Sequence, residues 1–260
     1  MSLLAGQVAL VTGASSGIGA ALARQLVHQG VHTVVVARRS QRLYALAREL
    51  GPTCVPVIGD VSDPGTSRAA VETALDLHGR LDHVIANAGV SMNARFADAE
   101  PVVFERLMAV NYFGTVHLLR AALPVLHGSA GTFTIVSSVA GKRGLPTRSG
   151  YAASKFALQG LFESLRCELD ASGVHLGMVC PGYTETDIRS VALGPDGEPR
   201  GGTGVTSGSV MSAEAAADRI LGAVSSRRRE LVLTPGGRFL VSLNKWAPGW
   251  VDRLANHLAG

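Results

Sequence analysis

A tyrosine, a lysine and a serine form the most informative chemical pattern in this sequence. Tyr151 precedes Lys155 by four residues, and Ser138 lies thirteen residues before the tyrosine. Residues four apart share one face of an α-helix, so the phenol and the ammonium would lie side by side. A phenol with an ordinary pKa of about 10 is a poor acid–base group at neutral pH, but an adjacent cation favours its phenolate. The spacing therefore favours an acid–base pair.

Lysine is rare in this chain, which makes Lys155 more informative. The three lysines, Lys142, Lys155 and Lys245, stand against 21 arginines, so a cationic position is usually filled by arginine. Residue usage alone would produce a Tyr-x-x-x-Lys pair in roughly one such chain in twenty. Taken alone, the pair could still be a simple contact on a helix face, so its interpretation depends on the other motifs.

A glycine-rich turn follows the first apolar run of the chain. Gly13, Gly17 and Gly19 lie between a predicted strand and a predicted helix. Glycines let the backbone turn tightly and approach a diphosphate, which then lies at the positive end of the helix. In this context the turn predicts a dinucleotide site. The expected cofactor contacts of the turn are Gly13, Ser15, Ser16, Gly17, Ile18 and Gly19.

The end of the second predicted strand indicates which dinucleotide binds. Enzymes that use NAD typically place a carboxylate there to accept the ribose 2′-hydroxyl. This chain instead has Ala37, Arg38 and Arg39. A phosphate monoester is a good bidentate partner for arginine, so Arg38 and Arg39 favour NADP(H) over NAD(H). The alternative is that both arginines only solvate a loop.

Further polar and small residues come at the ends of later strands, where open α/β sheets bind ligands. The third strand is followed by Asp60 and Val61, the fourth by Asn87, Ala88 and Gly89, and the sixth by Pro181 and Gly182. Asn111 falls within a predicted helix, where asparagine is a mediocre helix former. These residues complete the set of candidate ligand contacts.

Short apolar runs alternate with amphipathic helical stretches along the chain. The runs lack the polar alternation of a one-sided sheet, which indicates strands buried on both faces. The pattern predicts an α/β fold, a doubly wound parallel sheet of Rossmann type with about seven strands, in one domain over 1–260. The predicted strands are 8–11, 33–36, 55–58, 83–86, 132–137, 176–179 and 231–233.

Two regions break this alternation. Residues 184–211 are rich in glycine and poor in large apolar residues, and we expect a mobile substrate loop. In the tail, 236–260, apolar residues including Trp246 recur at helical spacing, and Trp250 follows. This tail is expected to pack on the core or on a subunit neighbour, with a pocket-lining or membrane-surface role as the alternative.

Composition excludes several other functional classes. The net charge of +4 comes without a basic stripe, apart from three arginines at 227–229, so nucleic-acid binding is not expected. The three cysteines are widely spaced and the histidines scattered, so neither a disulfide framework nor a metal site is expected. No apolar run reaches the length of a membrane span, and no signal peptide is evident. We expect a cytoplasmic protein.

Together, from about residue 6 to residue 233, these motifs resemble the short-chain dehydrogenase/reductase family in order and spacing. The resemblance implies that Ser138 hydrogen-bonds the substrate oxygen and that Tyr151 exchanges its proton. It further implies that Lys155 lowers the pKa of Tyr151 and holds the nicotinamide ribose, and that Asn111 keeps a water in a proton relay. Further implied cofactor contacts are Thr184, where relatives often have an apolar residue, and Thr186.

The resemblance implies a small-molecule carbonyl or alcohol substrate and a homodimer or homotetramer. Two other functions remain as alternatives: a catalytically silent dinucleotide-binding regulatory or scaffold protein, and an epimerase or lyase on the same fold. A serine hydrolase is not expected, because the chain has no Gly-x-Ser-x-Gly elbow.

Overall fold

A single seven-stranded parallel sheet forms the centre of the computed structural model, which describes residues 5–200 and 210–259. The strand order is β3-β2-β1-β4-β5-β6-β7, which confirms the doubly wound fold class. Each strand begins and ends within two residues of its predicted position. The strands are β1 Val8–Thr12, β2 His32–Ala37, β3 Cys54–Ile58, β4 His83–Ala86, β5 Thr132–Val136, β6 His175–Cys180 and β7 Glu230–Val232.

Helices cover both faces of the sheet. The described helices are α1 Gly17–His28, α2 Ser40–Leu50, α3 Pro64–His78, α4 Pro101–Leu107, α5 Gly114–Ser129, α6 Ser149–Glu168, α7 Ala213–Ser225, α8 Pro235–Trp246 and α9 Pro248–Ala259. One core cluster joins the sheet to α1, α2 and α7, and a second joins its other face to α3, α5 and α6. The sheet is therefore the middle of three layers.

Alternate residues of β1 belong to opposite cores. Ala9 and Val11 pack with α1 and α7, whereas Val8 and Leu10 pack with α3 and α5, and all four are fully buried. Successive side chains of a strand point to opposite faces, so a strand covered on both sides must be apolar throughout. Burying a valine or leucine completely contributes about 1.5–3 kcal/mol.

The strand order reverses beside β1, and this reversal creates the cleft. β1 pairs with β2 on one side and with β4 on the other, so the connections that leave their carboxyl ends run in opposite directions. Ligands of open α/β sheets bind in the crevice at such a switch point. The glycine-rich turn lies directly at this crevice, between β1 and α1.

A π-helix, Met108–Phe113, joins α4 to α5 and contains Asn111. The sequence predicted helix at this position, and the structure shows a helix of wider hydrogen-bonding pattern. π-helical turns inside α-helices frequently occur at functional sites.

The tail forms α8 and α9, and its aromatic residues are exposed. Trp246 is 89% and Trp250 71% exposed, whereas Val251 is fully buried. The two tryptophans therefore do not pack on the core of their own chain, and their packing on a subunit neighbour stays a prediction. An ion pair between Arg143 and Asp252 ties α9 to the segment that precedes α6. Within 5–200 and 210–259, no helix is both long and apolar enough to cross a bilayer.

Candidate active site

A cavity of about 1590 Å³ lies at the carboxyl ends of the strands. It exceeds the roughly 300–1000 Å³ of a site for one small molecule, so it has room for an extended ligand and a second, smaller one. The predicted site residues line this cavity with two exceptions, Gly19 and Asn111. Lining residues from the sequence prediction are Gly13, Ser15, Ser16, Gly17, Ile18, Arg38, Arg39, Asp60, Val61, Asn87, Ala88, Gly89, Ser138, Tyr151, Lys155, Pro181, Gly182, Thr184 and Thr186.

The glycine-rich turn depends on missing side chains. Gly13 and Gly17 have φ values of +70° and +53°, which are strained for other residues. A Cβ on Gly13 would lie 2.8 Å from the Cα of Ala88, and one on Gly19 would lie 2.3 Å from the Gly13 carbonyl oxygen. Gly19 therefore serves the packing of the turn and does not face the ligand space.

The start of α1 is open to an anion. Its N-cap residue, Ser16, makes no side-chain capping bond, so that hydroxyl does not satisfy the free N–H groups of the first turn. These N–H groups and the helix dipole together favour a phosphate at this position. The geometry fits the diphosphate site that the sequence predicts.

Hydrogen bonds of Thr12 join the glycine-rich turn to the end of β4. The Thr12 hydroxyl accepts from the backbone N–H groups of Asn87 and Ala88, each at 3.1 Å. The Asn87 side-chain amide donates to the Thr12 carbonyl at 3.0 Å. The two sides of the switch point are therefore held together next to the cleft.

The two predicted arginines already have partners at the adenosine end. Arg38 donates to the Asp60 carboxylate at 3.2 Å. Arg39 donates to the hydroxyls of Ser15 and Ser16 at 3.0 and 2.6 Å. Both guanidiniums remain about half exposed, so each has N–H groups open to a further acceptor.

Asp60 is held as an anion. Burial would raise the pKa of its carboxyl, but hydrogen bonds from the Ser62 amide and hydroxyl and the charge of Arg38 together bring that pKa below its usual value. The negative charge of Asp60 is therefore already compensated by Arg38 and Ser62.

Sequence reasoning missed two charged residues beside this cluster. Arg42, on α2, donates to the Asp187 carboxylate at 2.8 Å, and Arg39 lies 3.6 Å from the same carboxylate. Arg42 lies three residues after Arg39, the N-cap residue of α2, so helical spacing was a usable signal for it. No comparable signal pointed to Asp187, which comes from the loop that follows β6.

Ser138 and Tyr151 meet at the other end of the cavity. Ser138 caps a short 3₁₀-helix, Val139–Gly141, by accepting from the Ala140 N–H at 3.1 Å. A hydrogen bond with Ser138 and the positive charge of Arg148 both act to lower the pKa of the Tyr151 phenol. The short helix therefore fixes the hydroxyl next to the phenol.

The pKa of Tyr151 departs from the expectation of a phenol activated by Lys155. Burial has the largest effect and raises this pKa above its ordinary value, despite Ser138 and Arg148. The Lys155 Nζ lies 5.9 Å from the centroid of the Tyr151 ring and donates to the Val136 carbonyl at 3.0 Å. The ammonium is thus directed to the backbone of β5, and the phenol is protonated at neutral pH.

Lys155 itself is only 4% exposed. Burial lowers the pKa of its ammonium to about 8, because a charged group is costly to keep in a medium of low polarity. An ionisable group with a pKa this close to neutrality is typical of functional sites.

Asn111 supports the wall of the site from behind. Its side chain is fully buried, accepts from the Val90 N–H and donates to the Val90 carbonyl, each at 2.9 Å. The same amide donates to Ser154 on α6 at 2.9 Å. A Cβ on Gly89 would lie 3.2 Å from the Asn111 oxygen and 3.6 Å from the Lys155 Nζ. Asn111 and Lys155 therefore flank the same glycine.

The segment after β6 closes the cleft opposite β4. The Pro181 carbonyl accepts from the Val139 N–H at 2.9 Å, and Thr184 forms an isolated parallel bridge with Met211. A Cβ on Gly182 would lie 2.5 Å from the Thr234 hydroxyl, and a Cβ on Gly17 would lie 2.9 Å from the Thr186 methyl group.

Only part of the predicted mobile loop falls within the described residues, because 201–209 lie outside them. In the described part, Leu193 is buried, donates to the Ser91 carbonyl at 2.9 Å and accepts from the Asn93 N–H at 2.8 Å. This part has fixed contacts, unlike the poorly anchored loop that its glycine content suggested. Phe239 and Leu240 of α8 also line the cavity, so the pocket-lining role of the tail applies to them.

Comparison with protein families supports this arrangement. The family model described as short chain dehydrogenase matches residues 7–193. Dehydrogenase/reductase SDR family member 7B of Bos taurus is 34% identical over 258 residues, which cover 95% of this chain and 79% of that protein. 11-beta-hydroxysteroid dehydrogenase 1A of Arabidopsis thaliana is 41% identical over 190 residues, which cover 71% of this chain and 54% of that protein.

Solved structures show the same fold. A short chain dehydrogenase/reductase from Burkholderia phymatum in complex with NAD has a TM-score of 0.84 at 25% identity, covering 94% of this chain and 95% of that one. A short chain dehydrogenase from Burkholderia cenocepacia in complex with NADP has a TM-score of 0.82 at 25% identity, with complete coverage of both chains. The similarity extends over the whole sheet and its helices.

Proposed function

The chain belongs to the short-chain dehydrogenase family, and on this premise we propose that it is an NADP(H)-dependent oxidoreductase interconverting a ketone or aldehyde with its alcohol. One observation carries the proposal. Ser138, Tyr151 and Lys155 line the same cavity as the glycine-rich turn. A proton donor, a hydroxyl and a cation are thus placed within reach of a ligand anchored at α1.

The residues at the adenosine end fit a dinucleotide with a 2′-phosphate. β2 ends in Ala37, which offers no carboxylate to a ribose hydroxyl, and Arg38 and Arg39 line the cavity next to it. The nearest acid on the neighbouring strand end, Asp60, is already paired with Arg38. Because similar structures contain NAD in one case and NADP in another, the preference rests on these side chains.

In the direction of carbonyl reduction, each catalytic side chain has a separate task. When bound, the reduced nicotinamide supplies a hydride to the carbonyl carbon. Ser138 donates a hydrogen bond to the carbonyl oxygen and stabilises the charge that develops there. Tyr151, protonated because of its raised pKa, gives its proton to the same oxygen. In oxidation, Tyr151 takes that proton back.

Lys155 and Asn111 act behind Tyr151. The Lys155 ammonium would hold the nicotinamide ribose, and its positive charge would stabilise the Tyr151 phenolate that remains after the proton has been given up. Asn111 holds Val90 and Ser154 in place and thereby fixes the wall beside Lys155. We propose that Asn111 contributes to the proton path by this positioning.

The proposed cofactor preference predicts the result of a charge reversal. In the Ala37→Asp, Arg38→Ala double variant, a carboxylate replaces the arginine–phosphate contact, and the ratio of kcat/KM for NADPH over NADH should fall about 10- to 100-fold. Arg48→Ala, an exposed residue further along α2, is the matched control and should leave this ratio unchanged. Equal efficiency of the unmodified protein with NADPH and NADH would refute the preference.

The pKa of Lys155 predicts a pH dependence. The ammonium loses its proton as the pH rises through about 8, whereas the pKa of Tyr151 lies above its ordinary value. We therefore expect kcat/KM for ketone reduction to be level near pH 7 and to decline above about pH 8 as the charge of Lys155 is lost. Steady-state rates in overlapping buffers measure this profile. A constant value up to about pH 10 would show that the charge of Lys155 is not needed.

A substrate screen at the absorbance band of reduced nicotinamide tests the function itself. An oxidoreductase consumes NADPH with a ketone or aldehyde, or forms it with an alcohol. A catalytically silent binding protein would bind NADPH, as measured by calorimetry, but would not consume or form NADPH with any of the compounds in the screen. An epimerase or lyase would convert a substrate without net change in NADPH.

A further inference from the structure

Two guanidiniums without a carboxylate partner line the substrate end of the cavity. Arg148 lies at the N-cap position of α6, three residues before Tyr151, and Arg189 comes from the segment after β6. Neither forms an ion pair with any of the residues that the structure describes. Both arginines are partly buried, and removing a charged group from water is costly unless a partner compensates for the lost hydration. A negatively charged ligand would supply that compensation.

Arg148 is held in place by a strained segment. Its guanidinium donates to the Ser91 hydroxyl at 2.7 Å. The preceding residue, Thr147, has a φ of +60°, which is costly for a β-branched side chain. The Thr147 hydroxyl donates to the Asn93 side-chain oxygen at 3.0 Å, and the Thr147 carbonyl accepts from the Ala94 N–H at 3.1 Å. These two hydrogen bonds fix Thr147 in this conformation. Strain of this kind is typical of functional sites.

Arg189 is oriented by an aromatic ring. Its guanidinium lies 4.2 Å from the centroid of the Tyr183 ring, an arrangement that leaves the edge N–H groups of the guanidinium available to an acceptor. Burial, and then the charge of Arg189, lower the pKa of Arg148. The two positive charges are therefore close enough to repel each other.

Within the described ranges, no carboxylate neutralises the pair. Among the described residues lining the cavity, the acids are Asp60 and Asp187, which pair with Arg38 and with Arg42 at the adenosine end. Residues 201–209 contain neither aspartate nor glutamate. The start of α6 also lacks a side-chain cap, so its dipole adds to the positive potential.

We propose that Arg148 and Arg189 form a binding site for a carboxylate group of the substrate, so that the preferred substrate is a carbonyl compound carrying a carboxylate. This inference rests on the proposed oxidoreductase function and deepens it by naming the substrate class. Guanidinium groups match the planar, bidentate geometry of a carboxylate. Binding at Arg148 would place the substrate next to the Tyr151 phenol.

The walls of the cavity favour a carboxylate over a dianionic phosphate. Val191, Leu193 and Leu240 line the cavity together with the two arginines. A doubly charged group loses more hydration energy than a singly charged one on entering such an apolar environment. The expected substrate therefore has an apolar body and one carboxylate.

Binding and turnover of matched compounds test this site. The probes are levulinate, its longer methyl-ketone homologues and their methyl esters, with the NADP(H)-loaded protein. We expect calorimetry to detect at least one acid binding more tightly than its ester, and kcat/KM to favour the same acid. Arg148→Gln and Arg189→Gln should each weaken binding of that acid about 10- to 100-fold, whereas Arg148→Lys should restore part of it.

Arg68→Gln, an exposed arginine of α3 outside the cavity, is the matched control and should leave the acid-over-ester ratio unchanged. Acids and esters that bind and react equally, with both variants like the unmodified protein, would overturn the carboxylate site but leave the oxidoreductase function standing. If an acid binds through Arg148 but no probe leads to consumption of NADPH, the carboxylate site is supported and the oxidoreductase function is contradicted. Absence of acid binding by calorimetry overturns the site in every case.

Discussion

Tyr151→Phe is expected to reduce the turnover of carbonyl reduction by about 10²- to 10⁴-fold, the range typical of losing a general acid–base group. The substitution removes one hydroxyl and leaves the ring and its packing in place. NADPH affinity and the midpoint of thermal unfolding should therefore change little. The neighbouring Ser138 cannot replace the proton donor, because a serine hydroxyl is a far weaker acid than a phenol.

Steady-state kinetics with NADPH and any ketone identified by the screen measure this effect, and calorimetry measures NADPH affinity. Tyr44→Phe is the matched control, since Tyr44 is exposed on α2 and does not line the cavity. Near-normal carbonyl reduction by Tyr151→Phe would rule out the proposed acid–base role.

Lys155→Arg is expected to be nearly as damaging, although the charge is kept. The ammonium is buried and donates to the Val136 carbonyl at 3.0 Å. A Cβ on Gly141 would lie only 3.0 Å from the Lys155 Cβ, so the surroundings are crowded. The larger, planar guanidinium cannot reproduce the contacts of a compact ammonium. We expect kcat/KM to fall by about 10²-fold or more, the lower bound for loss of acid–base function.

Lys245→Arg, an exposed position near the end of α8, is the control for the chemical change itself. Circular dichroism and thermal unfolding identify any variant that fails to fold. If folded Lys155→Arg kept near-normal turnover, the role of Lys155 would be purely electrostatic, and the requirement for ammonium geometry would be wrong.

Most of the fold could be predicted from the sequence because its strands are buried on both faces. A strand such as Val8–Thr12 must be apolar throughout, and a contiguous apolar run between helical stretches is easy to recognise. The glycine-rich turn, the strand-end residues and the pair Tyr151 and Lys155 depend on local spacing, so the sequence pointed to them as well.

The remaining features depend on contacts between distant parts of the chain. Arg42 and Asp187 are 145 residues apart, and their pairing follows only from the path of the loop after β6. The pairing of Arg148 with Ser91 is equally non-local. No single-sequence pattern encodes such contacts, so the charge distribution in the cavity could not be predicted.

The net direction of the Tyr151 pKa shift could not be predicted for a related reason. Helical spacing placed the two residues on one face, as predicted. It could not show that the ammonium donates to the Val136 carbonyl, nor that burial raises the phenol pKa more than neighbouring charges lower it. Proximity on a helix predicts a contact, whereas the direction of a pKa shift depends on the whole environment.

Transfer of a deuterium label from reduced cofactor to product tests the central claim most directly. The unmodified protein is incubated with a ketone and with NADPH carrying deuterium at the transferable position of the nicotinamide, and the product is examined by mass spectrometry and NMR. The proposed function predicts an alcohol with deuterium on the former carbonyl carbon, formed in equal amount to the NADPH consumed. A product without deuterium at that carbon, or cofactor binding with no alcohol from any ketone or aldehyde, would contradict it.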